Sequence, residues 1–203
     1  TIGTVTSQWK TSVSRWNVLY KAIARANKIV NALDKGSASG LREAKVNQYK
    51  GEAYFMLGFA YGELTAYYGD CILNNNMSLN EAYHAARSPK EKVLEYAYEC
   101  FDKAIEYLPA TITGQLRPTK GAALGFKARF ALFHQDWQTA ADAAKQCMDL
   151  NVYELHDNYL DLFKADKSKE LMFYFKGNLA LKKGFGLFTD IRNTIIRKVS
   201  GTA

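Results

Sequence analysis

GEAYFMLGFAYGELTAYYGD, running from Gly51 to Asp70, decides the fold. Between Gly51 and Gly69 only Glu52 and Glu63 carry charge. Tyr54, Leu57, Gly58, Tyr61, Leu64 and Tyr68 recur at helical three- and four-residue steps, while Phe55, Phe59 and Ala66 fill another face. A helix apolar on nearly all sides is buried on nearly all sides. Gly58 and Gly62 stand one turn apart, each costing about 1 kcal/mol of helix propensity against Ala. That cost makes sense where another helix comes close. The segment is therefore expected to be the central helix of an all-α unit, starting near Leu41 and ending at Gly69 in a left-handed cap.

Helical patterning extends outward on both sides. Upstream, from near Arg15, one face carries Trp16, Leu19, Tyr20, Ile23, Ala26, Asn27, Val30 and Leu33. Asn27 is a polar member of that face and needs a partner, typically a neighbouring backbone. Downstream, Gly69 to Pro89 reads as irregular, with the Asn74-Asn75-Asn76 run and a short turn of helix around Tyr83. Ser88-Pro89 has the form of a helix start, Ser as cap and Pro at the first helical position. Lys90 to Leu108 follows, stopped by Pro109. Thr119 to His134 and Asp136 to Leu150 are joined so tightly that they must be antiparallel neighbours. Tyr153, Leu155, Tyr159, Leu160 and Phe163 are placed to pack down, and Leu171 to Phe175 is the one candidate β-strand.

The chain has 203 residues, 48% hydrophobic and 23% charged, the balance of an ordinary globular protein. Its 27 Lys and Arg against 20 Asp and Glu give a net charge of +7. The cations are scattered along the sequence, so a solvated surface is read in preference to nucleic-acid binding. No apolar run is long enough to span a bilayer. The sequence opens without Met and reads as a processed or excised piece. Cys71, Cys100 and Cys147 have no metal-site spacing and no complete disulfide pairing. Cys100 and Cys147 sit on apolar helical stretches as small hydrophobes.

A repeat sets the fold class. Tyr54, Leu57, Gly58 and Tyr61 fit the first helix of the tetratricopeptide pattern, and Ala97, Phe101, Ala104 and Pro109 fit its second. The two halves are further apart than the pattern allows, which places an insertion, residues 69–89, between them. A second, weaker unit has Leu124 and Ala128 on its first helix and Ala140, Ala144 and Cys147 on its second. The competing reading is a generic helical bundle with coincidental alanine spacing.

These residues also resemble a known family. The runs W…LY…I…AN (Trp16 to Asn27) and GEAYF…FAY…L…YGD (Gly51 to Asp70) resemble the SusD/RagB outer-membrane lipoproteins of Bacteroidetes. Arg87-Ser88-Pro89, Leu108-Pro109, Arg117 to Ala123, Asp136-Trp137, Tyr159…Leu162-Phe163 and Glu170 to Phe173 follow in the family's order. Two departures stand out: YGD continues with Cys71-Ile72 where an apolar residue and Pro are usual, and Leu57 replaces a common Arg. The resemblance implies a mostly all-α, tetratricopeptide-like domain over residues 1–169 with its inserted loop. Residues 170–203 would then begin an irregular carboxy-terminal subdomain of a longer, lipid-anchored chain. It implies cell-surface capture of oligosaccharides for a partner TonB-dependent transporter of the SusC type.

No catalytic constellation is expected. His84, His134 and His156 lack metal-ligand spacing, and neither a nucleophile elbow nor a phosphate loop is present. The chain reads as a non-enzyme without cofactor, metal or nucleic acid. A sugar surface needs exposed aromatic faces and amides. Trp16 and Trp137 are assigned to the core, while Trp9, in a polar segment, is the leading stacking candidate. Tyr83 and Asn75, in the inserted loop, are the others. The rival function is a tetratricopeptide adaptor gripping a peptide or protein in a concave groove.

Overall fold

The computed structural model describes residues 10–36, 39–74, 81, 84–111, 117–155, 157–158 and 169–173. Five helices are described along their length, α1 (Lys10–Asp34), α2 (Glu43–Tyr68), α3 (Lys90–Tyr107), α4 (Lys120–Phe133) and α5 (Trp137–Asp149), and Glu81 and His84 are helical as well. The described residues are mostly helical, as the periodicity requires. Leu171 to Phe173 form no β-ladder, and Tyr174 and Phe175 of the expected strand lie outside the described residues. No helix among the described residues is long and apolar enough to cross a membrane.

The central position belongs to α2, which packs against α1, α3 and α4. Its glycines mark the closest approaches. A Cβ on Gly58 would sit 3.0 Å from three atoms of the Phe101 ring of α3. One on Gly62 would come 2.5 Å from the Phe130 ring of α4, and one on Gly51 2.7 Å from Leu108 just past α3. Large side chains thus lie flat on bare α2 backbone. Phe55, Tyr61 and Phe101 are wholly buried, each burial contributing roughly 1.5–3 kcal/mol. Phe55, Phe101, Phe126 and Phe130 continue the packing as edge-on and stacked rings. On the opposite flank α1 presents Leu19, Ile23, Ala26 and Val30 to α2, the face its periodicity specifies, in a cluster that continues through α2 to Val93, Ala97 and Cys100 of α3.

The second pair, α4 and α5, is joined through His134 and Gln135, the latter at φ 64°. Both caps are side-chain made. Thr119 Oγ1 accepts from Ala122 N–H, and Asp136 Oδ1 accepts from Thr139 N–H at 3.2 Å. Three expectations are corrected here. Ala143, rather than Ala144, is the buried alanine after Ala140, and Ala144 faces solvent. Trp137, assigned to the core, is 62% exposed, because α5 packs on α4 alone among the described helices. Leu155 is exposed, whereas Tyr153 does pack down, its hydroxyl 2.8 Å from Thr119 Oγ1 and its ring against Gly121. Tyr159, Leu160 and Phe163 lie outside the described residues.

Candidate ligand-presenting surface

The insertion after α2 leaves and re-enters the bundle through one built base. Gly69 turns the chain out of α2 with φ 68° and ψ −118°. Those are the values of the first central residue of a type II′ turn, a position glycine favours, and not the left-handed helical values expected of the cap. Cys71 N–H then donates to Ser88 O at 3.3 Å, and Ser88 N–H donates to Cys71 O at 2.9 Å. The two ends of the insertion are pinned side by side.

Asp70 Oδ1 accepts from Lys90 N–H at 3.0 Å, placing a carboxylate on the first turn of α3, where the helix dipole favours negative charge. The expected Ser88 cap is thereby corrected. Pro89 takes the cap position with no side-chain cap bond; the backbone of Ser88 pairs with Cys71, and Asp70, twenty positions before Lys90, supplies the carboxylate. Arg87 ties the same corner from outside. Its guanidinium donates to Asp70 O at 3.3 Å and lies 5.2 Å from the centre of the Trp16 ring. Trp16 in turn meets Tyr68 edge-on at 5.1 Å.

Three side chains of α1 and α2 then hold the outgoing strand of the insertion. Tyr20 OH donates to Ile72 O at 2.8 Å, and Asn27 Nδ2 donates to Asn74 O at 2.7 Å. Tyr61 OH donates to Asn74 O at 3.0 Å and accepts from Asn74 N–H at 2.9 Å. Asn27 thus has the backbone partner its place on an apolar face demanded. Burial raises the Tyr61 and Tyr20 hydroxyls far above the usual phenol range, so both remain donors at any physiological pH. The entry to the loop is fixed by backbone-directed bonds that do not depend on the loop's own side chains.

Sequence reasoning treated Tyr20 and Tyr61 as packing residues and missed this clamp. The available signal was a tyrosine at a wholly interior helix position, where phenylalanine packs as well and a hydroxyl needs a partner. The candidates Trp9, Asn75 and Tyr83 lie outside the described residues; Glu81 and His84, on either side of Tyr83, are helical.

Elsewhere the chemistry is quiet. Burial pushes the Cys71 thiol up to about 11 and that of Cys100 up to about 12, which removes thiolate reactivity near neutral pH. Among the described residues no group of three or more His, Cys, Asp and Glu gathers to hold a metal ion. A second tie links the front of α2 to the connection before α4: Arg117 forks onto both Glu52 oxygens at 2.6 and 2.8 Å. Motifs far apart in sequence therefore meet in pairs, Gly51 with Leu108, Glu52 with Arg117, Trp16 with Tyr68, Asp70 with Lys90.

Comparison with known proteins gives that pairing a context. A SusD-like family model described as "Starch-binding associating with outer membrane" matches residues 3–132. A SusD-like protein of Formosa agariphila is 26% identical over 162 residues, 77% of this chain and 31% of the relative. A SusD-like carbohydrate binding protein of Bacteroides fragilis superposes with a TM-score of 0.77 at 24% identity, covering 87% of this chain and 35% of its own. A structure solved with a xylogluco-oligosaccharide superposes with a TM-score of 0.68 at 22% identity, covering 82% of this chain and 35% of that one. These structures share the fold. The chain spans about a third of the length of each of these relatives.

Proposed function

The chain belongs to the SusD-like family, and from that premise we propose that it is a non-catalytic glycan-binding protein of the outer-membrane surface. It holds an oligosaccharide and passes it to a partner TonB-dependent transporter of the SusC type. In this reading the longer protein is lipid-anchored at the cell surface, and the segment from residue 170 begins a further subdomain beyond the helical platform. The observation that carries the reading is the family match over residues 3–132, the part of the chain that contains the insertion and its base.

The base supports it physically. A sugar is bound weakly by each hydrogen bond and stacking contact, so ordering a loop on binding subtracts from a small total. Tyr61, Asn27, Tyr20 and the Cys71–Ser88 pairing order the loop's ends beforehand. Trp9 and Tyr83 would supply stacking faces and Asn75 an amide for hydroxyls. The rigid helices supply position, and loops carry contact.

Affinity electrophoresis through gels containing starch or xyloglucan tests the proposal. Retardation of the wild type on at least one polysaccharide is expected, with partial loss in Trp9→Ala and in Tyr83→Ala. Migration unaffected by every glycan tried would overturn it.

A further inference from the structure

On the side of the bundle formed by α1 and α2 alone, a groove of about 500 Å³ runs between the two helices. Ala22, Ala26 and Ala53 line it together with the larger Ile29 and Met56. Small residues on a helical floor leave holes of the kind that receive large side chains from an incoming helix. Ala22, Ala26, Ile29 and Leu33 follow the i, i+4, i+7, i+11 spacing of one helical row, roughly 16 Å or three turns long. Ile29 is 45% exposed on that row.

A second row lies beside the first. Lys21, Arg25 and Lys28 stand at i, i+4 and i+7 on α1, all exposed, and Arg25 forms part of the groove wall. No described residue makes an ion pair or a hydrogen bond with the side chain of any of the three. In α1 the one carboxylate is Asp34, which is engaged by Lys50 at 2.6 Å. Across the groove, Glu52 is already held by Arg117. Among the described residues the apolar row therefore has an uncompensated cationic margin on one side and a neutralised one on the other.

We propose that this groove is a docking site for an amphipathic helix whose apolar face is bordered by carboxylates. The occupant enters with its large apolar side chains over Ala22, Ala26 and Ala53, and its acidic row meets Lys21, Arg25 and Lys28. Such a helix satisfies both rows at once. An oligosaccharide fits less well, because the floor is aliphatic and offers few partners for hydroxyls. The groove's lining residues are distinct from Tyr20, Asn27 and Tyr61, which hold the base of the insertion.

The test uses the 203-residue chain and a fluorescein-labelled synthetic helix of about 14 residues, four turns, with Leu at helical spacing and Glu alongside. Fluorescence anisotropy should show saturable binding that weakens as salt rises. The same peptide with Lys in place of Glu should bind at least about tenfold more weakly, a 1.4 kcal/mol difference. The double variant Arg25→Glu, Lys28→Glu should reverse that preference, and Ile29→Ser should weaken both peptides. These positions are exposed, so an unchanged melting temperature and unchanged glycan retardation are expected in each variant. Equal binding of the two peptides, or undiminished acidic-peptide binding by the double variant, overturns the proposal. So does capture of anionic phosphatidylglycerol vesicles in place of the peptide, which would assign the groove to acyl chains.

Discussion

The two helical pairs share one sequence pattern and differ in what surrounds them. In α2 and α3 the pattern's small and aromatic positions are sealed: Gly58 lies under Phe101, Gly62 under Phe130, and Ala97 and Ala104 have no exposure. In α4 and α5 the same kind of pattern leaves Leu132, Phe133, Trp137 and Met148 more than half exposed. Location in the stack makes the difference, since α2 is covered by α1, α3 and α4 while α5 has α4 alone among the described helices. The repeat pattern specifies how two helices nest. Burial of the remaining faces depends on a helix's neighbours, which the pattern does not encode.

Truncation at the sealed pair is the largest test. Phe101→Ala removes a wholly buried ring at the junction of α2, α3 and α4 and should cost about 3–5 kcal/mol in urea unfolding. A loss below about 1 kcal/mol would mean the two pairs are packed alike after all. Gly58→Leu attacks the same contact from the other side. Even a Cβ there stands at 3.0 Å from the ring, so overpacking should cost about 1–3 kcal/mol or more, seen as a lowered thermal midpoint. An unchanged midpoint would show that Phe101 has room to move.

That contrast also explains which features were readable in the sequence. The helices, their order and the pairing of Gly58 with the second helix follow from periodicity and small-residue spacing, which are local or nearly so. The error at Ala144 is one of phase. Ala140, Ala143 and Ala144 all satisfy helical spacing, and only the partner surface selects Ala143. The errors at Trp137 and Leu155 have a second cause, because an apolar side chain states a preference for burial without stating that a neighbour exists. The capping of α3 by Asp70 was hidden for a third reason. A local Ser-Pro signal competed with a carboxylate brought by the insertion's own turn, and the tertiary contact won. The clamp on Asn74 was half visible: Asn27 announced an unmet need, while the hydroxyls of Tyr20 and Tyr61 were concealed by their rings.

The loop base belongs to the sealed pair, and its polar bonds sharpen the comparison at intermediate magnitude. Tyr61→Phe keeps the ring and removes the hydroxyl that both donates to and accepts from Asn74. The loss should be about 1–3 kcal/mol, because Asn74 N–H is left without that acceptor. Asn27→Ala removes a second donor to the same carbonyl and should cost roughly 1 kcal/mol. Since both variants act on one carbonyl, the double variant should depart from the sum of the singles. Strict additivity would show that the carbonyl is not shared in solution.

Between the pairs, His134 Nε2 lies 3.2 Å from Thr65 Oγ1, joining the end of α4 to α2. Burial, with Lys90 nearby, lowers the His134 pKa below its ordinary 6.5. The unfolded chain then binds the proton more readily than the folded one. Stability from this group is therefore present above pH 6.5 and lost as pH falls through the depressed folded value. His134→Gln should flatten that part of the stability–pH curve; an identical curve in the variant would remove His134 from the joint.

The smallest effect is expected where the pattern is exposed. Trp137 opens α5, but its ring is 62% accessible and the helix cap beside it is made by Asp136. Trp137→Ala should therefore change unfolding free energy by no more than about 0.5 kcal/mol, the range of surface substitutions. In the wild type the Trp137 ring should also be quenched by acrylamide more easily than Trp16, which is held between Tyr20, Tyr68 and Arg87. A loss of several kcal/mol would place Trp137 in a core, and α5 would then have a partner surface beyond α4. The asymmetry between the two pairs would in that case describe one part of the stack and not the finished protein.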